Sequence, residues 1–286
     1  MSRSVVSQAY AKVNLTLEVR GRWSSDGYHD LCSVFATVDL ADSVRVAAAP
    51  TLDVRISPDV GAAKGDDLAS RSVRAFAAAC GREPRALVRI RKRIPVAAGL
   101  GGGSSDAATV VRSLATIWNV PLPASGVEAS IGSDVPFFAS GGPFAHVTGR
   151  GEHVRPLPPP PTPLWIALVF PAVRLSTATV FAGLDPAERS DCRTTDRLAQ
   201  AFIDGSVEPA LVRECARNDL ERAAERACGW IADARAAARA RGVTLQLSGS
   251  GPSLFAIADD RTHALRLVRA LRRAGLRARA LTLGAQ

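Results

Sequence analysis

Apolar and polar side chains alternate near the start of the chain. In residues 13–19 the apolar set falls on one face and the polar set on the other, which is the pattern of a half-buried strand. The two sets are Val13, Leu15, Leu17 and Val19 against Asn14, Thr16 and Glu18. Similar runs predict strands near residues 33–40, 43–48, 52–57 and 86–91, and apolar residues at helical spacing predict a helix over 67–80.

A run of prolines, PLPPPPTP at residues 156–163, is the clearest internal boundary. Proline favours extended polyproline structure and cannot continue a helix. Beyond it the pattern predicts a strand over 164–170, helical stretches through 194–241, two strands joined by a glycine turn over 243–258, a helix over 261–274 and a strand over 276–283. Strands and helices mix without strict βαβ alternation, so we predict an α+β protein of two domains, residues 1–160 and 161–286.

Charge and cysteine usage narrow the class of protein only slightly. The net charge is +9, but only three of the 36 cations are lysine, a bias that suggests genome composition rather than a nucleic-acid partner. The five cysteines are odd in number and lack CxxC spacing, which disfavours a disulfide framework and a zinc site. The amino terminus lacks the apolar core of a signal peptide, and no apolar run is long enough to cross a bilayer. These features predict a cytoplasmic protein.

Glycine occupies four of the five positions from Gly99 to Gly103, within the segment PVAAGLGGGSSDAATVV of residues 95–111. The segment lacks the lysine of a Walker A loop and the last glycine of a dinucleotide-binding fingerprint. A glycine-rich loop before a helix nevertheless exposes backbone N–H groups beside the positive end of the helix dipole, an arrangement that binds phosphate. Ser104, Ser105 and Asp106 are predicted to cap this helix. The alternative is a plain flexible loop before a capped helix.

Three further segments hold candidate functional residues, and each also has an ordinary structural explanation. GSDVPFF, residues 132–138, places Asp134 between small residues and an apolar run, where aspartate often forms a turn or a cap. AKVNL, residues 11–15, holds Lys12, which would otherwise be a solvated lysine at a strand edge. LSGSGPS, residues 247–253, would otherwise be the turn of a hairpin.

Taken in order, AKVNL, PVAAGLGGGSSDAA and LSGSGPS resemble the three motifs of the GHMP kinases, which are named for galactose, homoserine, mevalonate and phosphomevalonate. The segments DGYHDLCSVF (26–35), GSDVPFF, TGRGE (148–152) and NDLE (218–221) resemble the branch that acts on a cytidine diphosphate derivative of methylerythritol. The resemblance extends from about residue 9 to about residue 258. The stretch over 119–132 is short for the family, which predicts a trimmed helix there.

The resemblance implies a fold and an activity. The fold would pair an N-terminal domain similar to domain 2 of ribosomal protein S5 with a ferredoxin-like C-terminal domain, with ATP and the acceptor between them. The activity would be ATP-dependent phosphorylation of the 2-hydroxyl of the acceptor, a step of non-mevalonate isoprenoid biosynthesis. Magnesium is expected to arrive with ATP, and no residue is predicted as a metal ligand.

The resemblance also implies roles for individual residues. Asp134 matches the catalytic base that accepts the proton of the acceptor hydroxyl, and Lys12 matches the partner that neutralises charge on the phosphoryl group. Asn14 and Thr177 match contacts near the reacting end, Tyr28 and Phe181 match the two aromatic faces around cytosine, and His29 matches the residue at the base edge. The residues matched to nucleotide binding are Lys92, Pro95, Val96, Ala97, Ala98, Gly99, Leu100, Gly101, Gly102, Gly103, Ser104 and Ser105.

Other functions stay open from the sequence alone. One is a GHMP kinase that acts on a different small alcohol. Another is a basic RNA-binding protein, because the N-terminal domain type also occurs in the ribosome, although the basic residues are scattered. A catalytically inactive scaffold is disfavoured because Lys12 and Asp134 are both present. We expect a small-molecule partner, no nucleic acid or membrane partner, and a monomer or weak homodimer.

Overall fold

The computed structural model describes residues 4–20, 29–61, 65–122 and 126–286. The first half of the chain forms β1 (Ser4–Arg20), β2 (Asp30–Ala47), β3 (Asp53–Ser57), α1 (Leu68–Ala79), β4 (Leu87–Arg91), α2 (Gly102–Trp118), α3 (Val127–Ile131), α4 (Val135–Ala139), β5 (Phe144–Gly149) and β6 (His153–Pro156). The second half forms β7 (Trp165–Val169), α5 (Thr177–Ala182), α6 (Arg193–Ile203), α7 (Pro209–Cys215), β8 (Arg217–Asn218), α8 (Glu221–Ala227), α9 (Gly229–Arg239), β9 (Gln246–Leu247), β10 (Leu254–Ala258), α10 (Arg261–Arg273) and β11 (Ala278–Thr282). A short 3₁₀ helix spans Pro186–Glu188.

The larger sheet is organised around two long strands, β1 and β2. Within the described residues its order is β3-β4-β2-β1-β8, and β5 and β6 continue from the other half of β2. Strand β2 pairs with β4 over residues 43–47 and with β5 over residues 31–36. Strand β2 therefore extends from the end of the molecule near the glycine-rich loop, where β4 ends, to the end where His29 lies.

The smaller sheet has the order β11-β7-β10-β9 among the described strands. The turn between β9 and β10 is the LSGSGPS segment, so the expected hairpin is confirmed. Strand β8 of the second half pairs in parallel with β1, and one apolar core contains Val13 of β1 beside Ile166 of β7. The two halves are therefore packed together, and the division at residue 160 stays a prediction.

Helix α2 buries one apolar stripe against the larger sheet and α1. Its buried residues include Ala107, Val110, Val111 and Leu114, which recur at the spacing of one helix face. Burial of each Val or Leu side chain contributes roughly 1.5–3 kcal/mol, and this packing fixes where the first turn of α2 points.

Strand β2 differs from the prediction of two strands over 33–40 and 43–48. The prediction was wrong because Asp42 interrupts the apolar pattern but stays in the strand, opposite Ala9 of β1. Asp42 is fully buried, so a polar residue that looks like a strand end is in fact part of the interior.

The cysteines require a second correction. Cys32 and Cys192 form a disulfide with their Cα atoms 6.0 Å apart, whereas the sequence disfavoured such bonds. The two residues are separated by 160 positions, so neither spacing nor count indicated that β2 and the start of α6 would meet. Separately, a search of the described residues found no helix that is both long and apolar enough to span a membrane.

Candidate active site

A cleft of about 1160 Å³ lies between the glycine-rich loop and the second half of the chain. Its walls contain most of the residues singled out in the sequence, and they reach from Gly102 and Lys92 at one end to His29 and Phe181 at the other. Cavities of this size hold small organic ligands.

The backbone of the glycine-rich loop leaves little room for a side chain at two of its positions. Gly99 and Gly101 have φ angles of 73° and 67°, in the left-handed region that favours glycine. A Cβ on Gly99 would collide with the carbonyl oxygen of Ser248, and one on Gly101 would lie 3.0 Å from Lys12 Cγ. The loop therefore packs closely against both Lys12 and the turn between β9 and β10.

Helix α2 begins at Gly102, with Gly101 at its N-cap and no side-chain cap. The prediction that Ser104, Ser105 and Asp106 cap the helix was therefore wrong, because all three lie inside it. The unpaired N–H groups of the first turn and the positive end of the dipole face the loop region. These groups are free of a competing cap and suit an anionic ligand.

Lys12 is held in one position by β1 and its neighbours. Its backbone N–H donates to the Leu100 carbonyl at 2.9 Å, and its Nζ donates to Asn14 Oδ1 at 2.7 Å. The Nζ atom also lies 3.4 Å from Asp134 Oδ2 and 4.6 Å from the centre of the Phe35 ring. Only 4% of its side chain is exposed, so it is not a solvated strand-edge lysine.

Asp134 directly precedes α4 and makes no side-chain cap to it. Its side chain is 29% exposed and lines the cleft. The TGRGE segment supports this position, because a Cβ on Gly151 would collide with the carbonyl oxygen of Ser133. The carboxylate is therefore oriented by its neighbours while one side stays open to the cleft.

The turn between β9 and β10 forms the opposite wall. A Cβ on Gly249 would lie 3.4 Å from both Lys12 Nζ and Asn14 Oδ1, and Ser250 Oγ is 2.8 Å from Thr177 Oγ1. Asn218 holds the turn, since its Nδ2 donates to the carbonyls of Leu247 at 2.9 Å and Gly249 at 2.7 Å.

At the other end of the cleft, His29 packs against Phe181. Their ring centres are 5.1 Å apart with a tilt of 31°. Burial, with the nearby positive charge of Arg189, lowers the pKa of His29 below its usual value, so the imidazole is neutral at neutral pH. Tyr28, the predicted second face around cytosine, lies outside the described residues.

The structure places most of the predicted site residues on this cleft. The residues on its walls are Lys12, Asn14, His29, Lys92, Pro95, Val96, Ala97, Ala98, Gly99, Leu100, Gly101, Gly102, Gly103, Ser104, Asp134, Thr177 and Phe181. Ser105 is buried within α2 and is not among the lining residues. The backbone carbonyls of Ala97 and Ala98 accept from Leu175 and Ser253, so these two residues also join the loop to the second half.

No individual role was predicted for Asn218, and Asp42, the buried partner of Lys92, was not predicted at all. Asn218 stands in the NDLE segment, whose resemblance to the family was the available signal. Asp42 carried no such signal. In the described ranges, no group of three or more His, Cys, Asp or Glu side chains could hold a metal ion.

Two family models match the chain. The model of the GHMP kinases N terminal domain matches residues 67–142, and that of the GHMP kinases C terminal domain matches residues 207–276. The first match contains the glycine-rich loop and Asp134.

Named relatives match nearly the whole chain. A 4-diphosphocytidyl-2-C-methyl-D-erythritol kinase of Methylobacterium radiotolerans is 38% identical over 94% of this chain and 95% of its own. One of Shouchella clausii is 36% identical over 93% of this chain and 89% of its own.

Solved structures agree with these matches. A crystal structure of 4-(cytidine 5'-diphospho)-2C-methyl-D-erythritol kinase aligns with a TM-score of 0.79 at 34% identity and covers 99% of this chain and 100% of its own. A homoserine kinase from Cytophaga hutchinsonii aligns with a TM-score of 0.72 at 18% identity over 99% of this chain and 94% of its own, which supports the fold alone. The two-domain α+β fold is thus confirmed, and the chain belongs to the GHMP kinases and, within them, to the 4-diphosphocytidyl-2-C-methyl-D-erythritol kinase family.

Proposed function

We propose that the chain transfers a phosphoryl group from ATP to the 2-hydroxyl of 4-diphosphocytidyl-2-C-methyl-D-erythritol, in the non-mevalonate route to isoprenoid precursors. The observation that carries the proposal is the Lys12–Asp134 pair, 3.4 Å apart, on the same cleft as the glycine-rich loop. The family assignment favours this activity over the RNA-binding alternative.

The glycine-rich loop fits a triphosphate. Gly99 and Gly101 occupy positions where a Cβ would meet neighbouring atoms, and the uncapped first turn of α2 supplies backbone donors. When bound, ATP supplies the phosphoryl group. The residues that would hold it are those of the loop, from Pro95 to Ser104, with Lys92 beneath them. Magnesium would accompany the triphosphate, and we propose no protein ligand for it.

Asp134 acts as the general base in this proposal. Its carboxylate is partly open to the cleft, whereas Lys12 is buried behind it, so an acceptor hydroxyl can approach the carboxylate from the cleft side. The fixed ammonium group of Lys12 stabilises the carboxylate and the negative charge that develops on the transferred group. Because Lys12 Nζ is already oriented by Asn14, little reorganisation is needed during the reaction.

The acceptor would occupy the part of the cleft between Asp134 and His29. Asn14 and Thr177 lie near the reacting end, and both are tied to fixed neighbours, Ser33 and Ser250. Phe181 offers an aromatic face, and His29 is proposed to contact the edge of the base, largely through its backbone. Tyr28 precedes His29 in the chain and is proposed as the second aromatic face.

Release of ADP with a panel of acceptors tests the proposal. We expect ATP-dependent turnover with 4-diphosphocytidyl-2-C-methyl-D-erythritol, and product analysis should place one new phosphate on the 2-hydroxyl. Homoserine and mevalonate should support no turnover above the hydrolysis of ATP. Faster turnover with either of them would show instead that the chain is a GHMP kinase for another alcohol.

A further inference from the structure

Three charged side chains meet in the interior beneath the glycine-rich loop. Lys92, which follows β4, donates from Nζ to Oδ2 of Asp42 and, at 2.6 Å, to Oδ2 of Asp106. The exposed fractions of the three side chains are 7% for Lys92, 0% for Asp42 and 5% for Asp106. Two buried carboxylates therefore share one ammonium group, and the cluster carries a net charge of −1 if both are ionised.

The two carboxylates differ in their remaining oxygen atoms. Oδ1 of Asp42 accepts backbone N–H groups from Arg93 and, at 2.9 Å, from Ile94, so both of its oxygen atoms have donors. Oδ1 of Asp106 is buried and has no hydrogen-bond partner among the described residues. A buried carboxylate oxygen without a donor favours the protonated group. Burial raises the pKa of Asp106 to about 7; the charge of Lys92 opposes that rise and the charge of Asp42 adds to it.

The cluster lies directly against the loop that would hold the triphosphate. A Cβ on Gly102, the first residue of α2, would lie 3.3 Å from Lys92 Nζ. Lys92 and Asp106 both line the cleft. Any negative charge left on the cluster is therefore close to the proposed phosphate site.

Other charged groups face the same part of the cleft. Asp66 and Asp67 precede α1, and Arg71 stands in its first turn. Asp67 is occupied as the N-cap of α1, where it accepts from Ser70 at 2.8 Å. Lys12 of β1 is directed toward Asn14 and Asp134. Lys92 is the cation in direct contact with Asp106.

We propose that Asp106 is a positioning residue that takes up a proton from solvent when the nucleotide binds. The proton binds Oδ1, the cluster becomes neutral, and Lys92 stays in place beside the glycine-rich loop. The inference rests on the proposed function, because it requires a triphosphate at the loop. If Asp106 stayed ionised, the net negative charge of the cluster would repel the phosphates through a poorly screened interior.

The uptake of a proton couples nucleotide affinity to pH. Above the pKa of Asp106 in the free protein, a proton must be bound before the neutral cluster forms, so affinity falls as pH rises. We expect the Kd for a nucleotide to increase roughly 5- to 10-fold between pH 6.5 and 8.5, since the limit for one proton is about tenfold per pH unit.

Calorimetry with the magnesium complex of adenosine 5'-(β,γ-imido)triphosphate measures this uptake. Titrations at pH 7.5 in two buffers of different ionisation enthalpy give the number of protons bound. We expect Asp106→Asn to bind about half a proton fewer than the wild type and to lose the pH dependence, because asparagine still accepts from Lys92 but does not ionise. Asp66→Asn, which removes an exposed carboxylate from the same cleft, should keep the wild-type uptake.

Equal proton uptake by the wild type and Asp106→Asn would overturn the inference while leaving the kinase proposal intact. If Asp106→Asn does not fold, the same titrations are made with Asp42→Asn. That variant leaves Lys92 paired with Asp106 alone, which favours ionised Asp106, so the uptake must decrease; an unchanged uptake would overturn the inference. Failure of the wild type to bind the nucleotide would overturn both proposals.

Discussion

At the scale of single residues, Lys12 and Asp134 are the pair proposed to carry the chemistry. Lys12 would be costly to bury without partners, and it is accommodated because Asn14 and Asp134 surround its ammonium group. Asp134 keeps one side open to the cleft. The pair therefore combines a fixed cation with an accessible carboxylate, which is the arrangement that proton abstraction beside a phosphoryl group requires.

Asp134→Asn tests the role of the carboxylate. Asparagine preserves the shape of the side chain but does not accept a proton, so we expect kcat to fall by ~10²–10⁴-fold, the usual range for a general base. The Kd for the nucleotide should change little, because the glycine-rich loop is unaltered. Asp233→Asn, an equivalent change at an exposed position of α9, serves as the matched control. A kcat within threefold of the wild type would exclude Asp134 as the base.

At the scale of elements, the site depends on how the glycine-rich loop meets the turn between β9 and β10. Gly99 contacts that turn so closely that no Cβ fits between them, and Ser248 Oγ donates to the Gly99 carbonyl at 3.0 Å. Asn218 holds the turn through hydrogen bonds to two of its backbone carbonyls. The two walls of the cleft are thus positioned by backbone contacts and one buried amide.

Asn218→Asp tests the support of this turn. The change replaces two donors with a carboxylate that faces the carbonyls of Leu247 and Gly249. Because each buried hydrogen bond left unmade costs about 1–3 kcal/mol, we expect the free energy of unfolding to decrease by roughly 2–4 kcal/mol and kcat/KM to decrease with it. Denaturant titration and steady-state kinetics measure the two effects. Gln8→Glu, the same amide-to-carboxylate change at an exposed residue of β1, should alter neither, and equal behaviour of the two variants would contradict the role of Asn218.

The sequence allowed some elements to be predicted and not others, for physical reasons. Strand β1 and helix α2 were predictable from their apolar patterns. The prediction that β1 is half-buried was wrong, because Asn14, Thr16 and Glu18 on its polar face are buried as well. The single strand β2 was not predictable, because the buried charge of Asp42 has its partner, Lys92, 50 positions away. For the same reason Asp106 looked like a cap, although its side chain is directed to Lys92. Local patterns reveal exposed and apolar faces but not which distant charges will pair inside.

At the scale of the whole molecule, a disulfide joins β2 to the start of α6. Alkylation of the denatured, unreduced protein, followed by mass spectrometry, counts the free thiols. Three cysteines should be modified, namely Cys80, Cys215 and Cys228, and prior reduction should raise the count to the five in the chain. Modification of all five without reduction would show that Cys32 and Cys192 remain thiols.

The proposed acceptor site also contains residues from both halves of the chain. His29 comes just before β2 and Phe181 from α5, and their rings meet at the end of the cleft. A base that stacks on an aromatic side chain gains roughly 1–3 kcal/mol per contact. A cytosine held between Tyr28 and Phe181 would therefore contribute at least about 2 kcal/mol to acceptor recognition.

Comparison of two acceptors tests the central claim most directly. Steady-state kinetics with 4-diphosphocytidyl-2-C-methyl-D-erythritol and with base-free methylerythritol phosphate should give kcat/KM values that differ at least about 30-fold in favour of the first. In Phe181→Ala the KM for the cytidine acceptor should rise ~5–150-fold with little change in the KM for ATP, while the base-free acceptor should be unaffected. Equal kcat/KM values for the two acceptors with the wild type would contradict the account of a cytidine-specific kinase.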